Sequence, residues 1–222
     1  MLIDVYDTLF SKYGPQGWWP GEGPLDVVIG AILTQNTAWS NVEKAITNLK
    51  MSNLWSLESI HRSSQEDLAS VVLSSGYFNQ KARKLKAFAE HIYIKHEGDL
   101  VKFLNQELSC LRKELLSIYG IGPETADDIL VYAAEKPSFI IDVYTKRILG
   151  RLGFFDIKPR ARYEDYQKLV QDQLPQDVRL FNEFHALLDN HAKLICKKNP
   201  ICSECVLIDV CNWAQQYDLV HE

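Results

Sequence analysis

Apolar residues recur at three- and four-residue intervals along almost the whole chain, and that period predicts helix after helix. It runs through "LDVVIGAILTQNTAWSNVEKAITNL" (25–49), "EDLASVVLSS" (66–75), "KARKLKAFAEHIYIKH" (81–96) and "VKFLNQELSCLRKELLSIYG" (101–120). It resumes in "PETADDILVYAA", "YTKRILGRLG", "YEDYQKLVQDQL" and "FNEFHALLDNHAKLIC", with short polar or Gly/Pro breaks between. Only "PSFIID" (137–142) reads as extended, and one short run does not make a sheet. The pattern predicts an all-α protein. It opens on a Gly/Pro-rich loop carrying two tryptophans and closes on a separate cysteine-bearing unit.

The sharpest local feature is "IYGIGPETADDIL" (118–130), two amphipathic segments joined through Gly-Ile-Gly. A helix N-terminus offers unpaired N–H groups and partial positive charge, which suit a phosphate. Gly120 and Gly122 strip bulk from the approach and permit unusual φ, Ile121 can plug the loop into the core, and Pro123 suits the first helical position. The spacing fits a helix-hairpin-helix that grips a nucleic-acid backbone without reading sequence. A plain helix C-cap at Gly120 fits the same residues.

Composition changes this picture little. With 46% apolar and 24% charged residues among 222, the chain is of ordinary soluble globular type. No apolar run of membrane-spanning length occurs, and the start has no basic flank before an apolar core, so a cytoplasmic protein without a membrane partner is expected. A formal charge of −5 does not favour a polyanionic partner, although a local basic face can bind one. Lys81, Arg83, Lys84 and Lys86 crowd one short span. Five cysteines matter more. Cys196, Cys202, Cys205 and Cys211 form C-x5-C-x2-C-x5-C near the C-terminal end, spacing that suits a [4Fe–4S] cluster or, as the alternative, zinc. Cys110 is expected to be buried.

Together these motifs resemble the helix-hairpin-helix DNA glycosylase superfamily, in which endonuclease III is a member. The residues that carry the resemblance are "ILTQNT" (32–37), "YGIGPETAD", the Asp in "FIIDVYTKRILGRLG", and "HAKLIC" leading into the cysteines. It implies a two-lobed all-α fold with a C-terminal cluster loop. One lobe is 24–135, with its hairpin at about 106–135. The other is 1–23 plus 136–222, with the loop at 196–211. It implies a monomer that binds double-stranded DNA containing a damaged base. Asp142 becomes the expected catalytic residue, although a helix-opening Asp is also an ordinary N-cap. Gln35 matches the residue that enters the gap left by a flipped base, and it could equally be a capping residue with Asn36 and Thr37. In the resembled fold the basic helix lies near DNA, so Lys81 and Lys84 are expected at phosphates, with Arg147 and Lys146 weaker candidates.

Two departures refine the expectation. Endonuclease III has a lysine where this chain has Glu124, and a carboxylate cannot form the Schiff base that leads to strand cleavage. "WWP", "LTQNT", "GYFNQKA", "GIGPETAD" and "IDVYTKR" are similar to the 3-methyladenine DNA glycosylase III branch, which also carries a glutamate at that place. That likeness implies a base pocket involving Trp18, Trp19, Pro20, Glu124 and Lys193. The branch does not imply the cysteines, and the first cysteine gap is one residue shorter than in endonuclease III. The expected activity is therefore hydrolysis of the glycosidic bond of an alkylated purine, leaving an abasic site. The alternatives are another damaged or mismatched base, a lyase using another amine, or a non-catalytic damage sensor.

Overall fold

The computed structural model describes residues 2–19, 21–154 and 161–221, with side chains through 216. Among them thirteen α-helices follow one another: α1 (Leu2–Tyr13), α2 (Pro24–Thr34), α3 (Trp39–Met51), α4 (Leu57–Arg62), α5 (Gln65–Val71), α6 (Phe78–His96), α7 (Leu100–Leu104), α8 (Leu108–Ser117), α9 (Pro123–Asp128), α10 (Val143–Leu152), α11 (Tyr163–Gln173), α12 (Val178–Leu194) and α13 (Asn212–His221). No strand occurs among the described residues, and the fold is all-α as the periodicity predicts. No helix among them is long and apolar enough to cross a membrane.

The chain divides into two compact units, Trp19–Lys136 and Met1–Trp18 with Pro137–Glu222. The first is built around α2, in which every residue from Val27 to Leu33 is buried, the signature of a helix packed on all sides. Amphipathic helices surround it. Val42, Ala45 and Leu49 of α3 and Leu85, Phe88, Ala89 and Ile92 of α6 supply apolar faces at helical spacing. In α8 the buried positions are Leu111 and Leu115. Cys110 sits one position off that stripe and is exposed, so the expectation of a buried thiol is corrected.

Helices α8 and α9 form the hairpin. Arg112 on α8 donates from Nε and Nη2 to the two carboxylate oxygens of Asp127 on α9, at 2.8 and 3.0 Å. Asp127 is fully buried. A bidentate charged pair of this kind has fixed geometry as well as energy, and it sets one hairpin helix against the other.

In the second unit, Leu2, Val5 and Leu9 form the apolar stripe of α1, and Tyr6 meets Phe184 of α12 edge-on at 5.7 Å. The stretch 137–142 is neither helix nor strand. It runs through the core with Phe139, Ile140 and Ile141 all buried. Side chains, not a neighbouring strand, meet three of its backbone polar groups. Phe139 N–H donates to Gln171, Ile141 N–H donates to the Tyr163 hydroxyl, and Gln167 donates to the Phe139 carbonyl. The Phe139 ring then packs edge-on against Phe181 and Phe184.

Asp127→Ala removes the buried carboxylate that accepts both hydrogen bonds of the Arg112 fork. It should lower unfolding free energy by about 3 kcal/mol, read from urea denaturation. An unchanged midpoint would mean that the fork does not brace the hairpin.

Candidate active site and nucleic-acid contacts

The hairpin loop is shaped by one positive-φ residue. Gly120 has φ +83°, and a Cβ there would stand 2.3 Å from Cγ of Lys84. The stem of Lys84 occupies that space and its ammonium donates to Oε1 of Gln35. Gln35, the C-cap of α2, donates from Nε2 to the Gly120 carbonyl at 3.1 Å and to Oγ1 of Thr125 at 2.9 Å. Gln35, Lys84 and Gly120, chosen on separate grounds, thus converge on one hydrogen-bonded knot. Ile121 is 5% exposed and plugs the loop inward. Gly122 is the N-cap of α9 with no side-chain cap, and a Cβ there would touch nothing. The α9 N-terminus is open, with Glu124 exposed in its first turn.

The basic run separates into different roles. Lys81 does not face outward. It is 2% exposed, with its ammonium donating to the carbonyls of Leu33 and Ser75 and to Oγ1 of Thr37. The expectation of a phosphate contact is therefore corrected for Lys81: its charge is spent on closing carbonyls of its own unit. Lys86 donates to the carbonyls of His61 and Ser63 at the end of α4. Arg83 is exposed, with its guanidinium 4.0 Å from the ring of exposed Tyr119 beside the hairpin loop.

In the second unit Asp142 caps α10, with Oδ1 accepting from the Thr145 N–H at 2.7 Å. Lys193 is half exposed. It pairs with Asp189 at 2.6 Å and its ammonium lies 5.7 Å from the Trp18 ring centroid. Trp18 and Lys193 are thus together. Trp19 belongs to the other unit, packed at 5.1 Å from Trp39 and 5.2 Å from Tyr132 and lying over Gly30, where a Cβ would collide with its ring at 2.8 Å. Pro20 lies outside the described residues. His185 was missed by the sequence reading. Burial lowers its pKa, Asp142 and Asp189 act against that, and Lys193 adds to it. His185, Asp189 and Lys193 fall at i, i+4 and i+8 on α12, a polar stripe along one side of the helix, and that spacing was the available signal.

The four clustered cysteines form no disulfide, and together with Ile195, Pro200 and Ala214 they line a small hollow. Arg151 donates to Cys196 Sγ at 3.2 Å, and His191 Nε2 lies 3.5 Å from Cys205 Sγ. The Tyr13 hydroxyl lies 2.8 Å from His191 Nδ1. Burial pushes the Cys205 thiol pKa up, as do the neighbouring cysteine charges, which is the penalty a bound cation removes. Four sulfurs with an arginine against one of them fit a metal centre of net negative charge. Arg147 serves this loop. Its guanidinium donates to the carbonyls of Cys196 and Ala192 and lies over the Tyr144 ring, so it is not presented to a phosphate as expected.

Residues 29–175 match the HhH-GPD superfamily base excision DNA repair protein family. A Methanocaldococcus jannaschii protein named as a candidate DNA repair glycosylase is 40% identical over 95% of this chain and 96% of its own. Endonuclease III of Thermotoga maritima is 29% identical over 86% of this chain and 83% of its own. Among solved structures, the H.pylori 3-methyladenine DNA glycosylase bound to 1,N6-ethenoadenine superposes with a TM-score of 0.74 and 29% identity, covering 86% of this chain and 96% of that one. A trapped endonuclease III–DNA covalent intermediate superposes with a TM-score of 0.83 at 19% identity, covering 98% and 97%, and shares the fold. The chain belongs to the HhH-GPD superfamily of base excision DNA repair proteins, as a DNA glycosylase.

Gly120→Ala forces a side chain into left-handed backbone and displaces Lys84. It should lower stability by about 1–2 kcal/mol in urea unfolding. Adding Lys84→Ala should recover only part of the loss, because the backbone strain remains.

Burial lowers the Lys81 pKa to about 8, with Lys84 adding to the effect. Below pH 8 the ammonium is charged in both folded and unfolded chains. Between pH 8 and 10.5 the folded chain releases its proton first, so stability rises with pH, by at most roughly 3 kcal/mol. Urea unfolding across that range should show the rise in the wild type and its loss in Lys81→Met.

Proposed function

We propose that the protein is a monofunctional glycosylase for alkylated, positively charged purines, hydrolysing the glycosidic bond and leaving an intact abasic site. The carrying observation is a carboxylate at Glu124, exposed in the first turn of α9, at the position where the resembled lyases have their amine. The 29% identity to a 3-methyladenine glycosylase over nearly all of that protein supports the substrate class.

In this mechanism Asp142 is the catalytic residue. Its Oδ1 accepts from the Thr145 N–H, which fixes the carboxylate while Oδ2 addresses the sugar. As the C1′–N bond breaks, its electron pair neutralises the positive ring, so the base needs no proton to leave. The developing charge on the sugar is stabilised by Asp142. Water adds to C1′ and gives its proton to the carboxylate. Trp18 supplies a stacking face for the extruded base. An electron-rich ring favours a cationic base over a neutral one. Lys193, neutralised by Asp189, borders Trp18. The Gly120–Ile121–Gly122 loop and the α9 N-terminus hold the DNA backbone, Arg83 adds a phosphate contact, and Gln35 braces the loop from behind. Cys196, Cys202, Cys205 and Cys211 hold a [4Fe–4S] cluster as a structural clasp, zinc being the alternative.

Purified protein incubated with methylated duplex DNA should release 3-methyladenine without nicking the strands. Borohydride should trap no covalent complex with abasic DNA. Asp142→Asn should cut release on the order of 10²–10⁴-fold while binding stays within a few-fold. Release surviving in Asp142→Asn would overturn the mechanism. Nicking or a trapped complex would overturn the monofunctional assignment, and release of thymine from mismatches in place of 3-methyladenine would overturn the substrate class.

A further inference from the structure

Away from the hairpin loop and the α12 stripe, α6 ends beside α8 with three side chains turned on one another. Nε2 of His91 and Nε2 of His96 each lie 2.8 Å from the same oxygen, Oε1 of Glu114. His96 is the last residue of α6, where the chain leaves through left-handed Glu97. The other carboxylate oxygen of Glu114 accepts from Gln106 at 2.8 Å. Phe103 walls the cluster, packing edge-on against His96 at 4.9 Å and against His91 at 6.2 Å. The three polar side chains are 12–18% exposed.

We infer that His91, His96 and Glu114 form a binding site for a divalent transition-metal ion of the zinc class, which clamps the end of α6 to α8. Two imidazole nitrogens and one carboxylate oxygen are a borderline donor set, suited to Zn²⁺ and unsuited to Mg²⁺ or Ca²⁺. The three donor atoms lie within 4.8 Å of one another. Tetrahedral zinc with bonds of about 2.0–2.1 Å spaces its donors about 3.3 Å apart. Each nitrogen–oxygen separation must therefore open by about half an ångström, which small side-chain rotations supply. Each ring must carry its proton on Nδ1 when the ion is bound, a change of tautomer that needs no net proton.

The surroundings match what a metal ligand needs. Gln106 fixes the carboxylate in the manner of an outer-shell partner. Three protein ligands and a small residual opening leave the fourth position to water. The ion would join the helix that carries Lys84 to the first helix of the hairpin. This assignment is independent of the glycosylase reading and of the cysteine loop.

The test uses full-length, untagged protein with its cysteine site occupied, titrated with Zn²⁺ alone and followed by calorimetry. One ion per chain should bind beyond those the cysteines hold. His96→Asn should weaken that binding at least ~100-fold, and Gln106→Ala by roughly 10–100-fold. No extra ion, or uptake unchanged by His96→Asn, overturns the site. Because His96→Asn could unfold the clasp, wild-type protein loaded with Cu²⁺ provides a variant-free readout. Its paramagnetic resonance spectrum should show coupling to two imidazole nitrogens, and coupling to none overturns the assignment.

Discussion

The face of the hairpin unit depends on an absent side chain. At Gly120 the backbone turns through positive φ, and the space a Cβ would fill is taken by the stem of Lys84. From there the ammonium reaches Gln35, whose amide returns to the Gly120 carbonyl and on to Thr125. The end of α2, the middle of α6, the loop and the start of α9 are therefore set by one another. Glycine's loss of conformational freedom on folding is the cost of this arrangement. What it secures is a smooth, rigid loop ahead of an uncapped helix N-terminus, the geometry that backbone-directed recognition of a phosphate requires.

Much of this was legible because helical period and cysteine spacing are direct consequences of packing and ligation. Gly-Ile-Gly foretold the hairpin. What failed was the direction of long side chains. Counting four cations in 81–86 says nothing of where each points. Lys81 falls at i, i+4, i+7 and i+11 with Leu85, Phe88 and Ile92, on the buried stripe, and there it meets carbonyls instead of water. Cys110 erred the opposite way, one step off the stripe of Leu111 and Leu115. Arg147 was illegible for another reason. Its partners are the carbonyls of Ala192 and Cys196, and backbone acceptors almost fifty residues away leave no trace in sequence.

Helix α12 ties the chemistry of the second unit together. His185, Asp189 and Lys193 place a polar stripe toward Asp142 and Trp18, and the same helix carries His191 and ends two residues before Cys196. Burial lowers the His191 pKa to about 4, so its ring is neutral at neutral pH. The Tyr13 hydroxyl on one ring nitrogen and the Cys205 sulfur near the other hold it between α1 and the cysteine loop. The Asp142–Trp18 face and the cysteine loop are thus connected through one helix.

The break between Trp18 and Trp19 bears on how the chain is made. Helix α1 has its apolar stripe covered by segments that begin at Pro137, so about 120 residues of the other unit separate it from its partners. At usual synthesis rates that interval lasts roughly ten seconds, long enough for the contiguous unit to fold first. During it Leu2, Val5 and Leu9 have no core to enter. Ribosomal order therefore makes the hairpin unit the earlier structure and leaves α1 a sticky, waiting segment until the chain beyond Pro137 emerges.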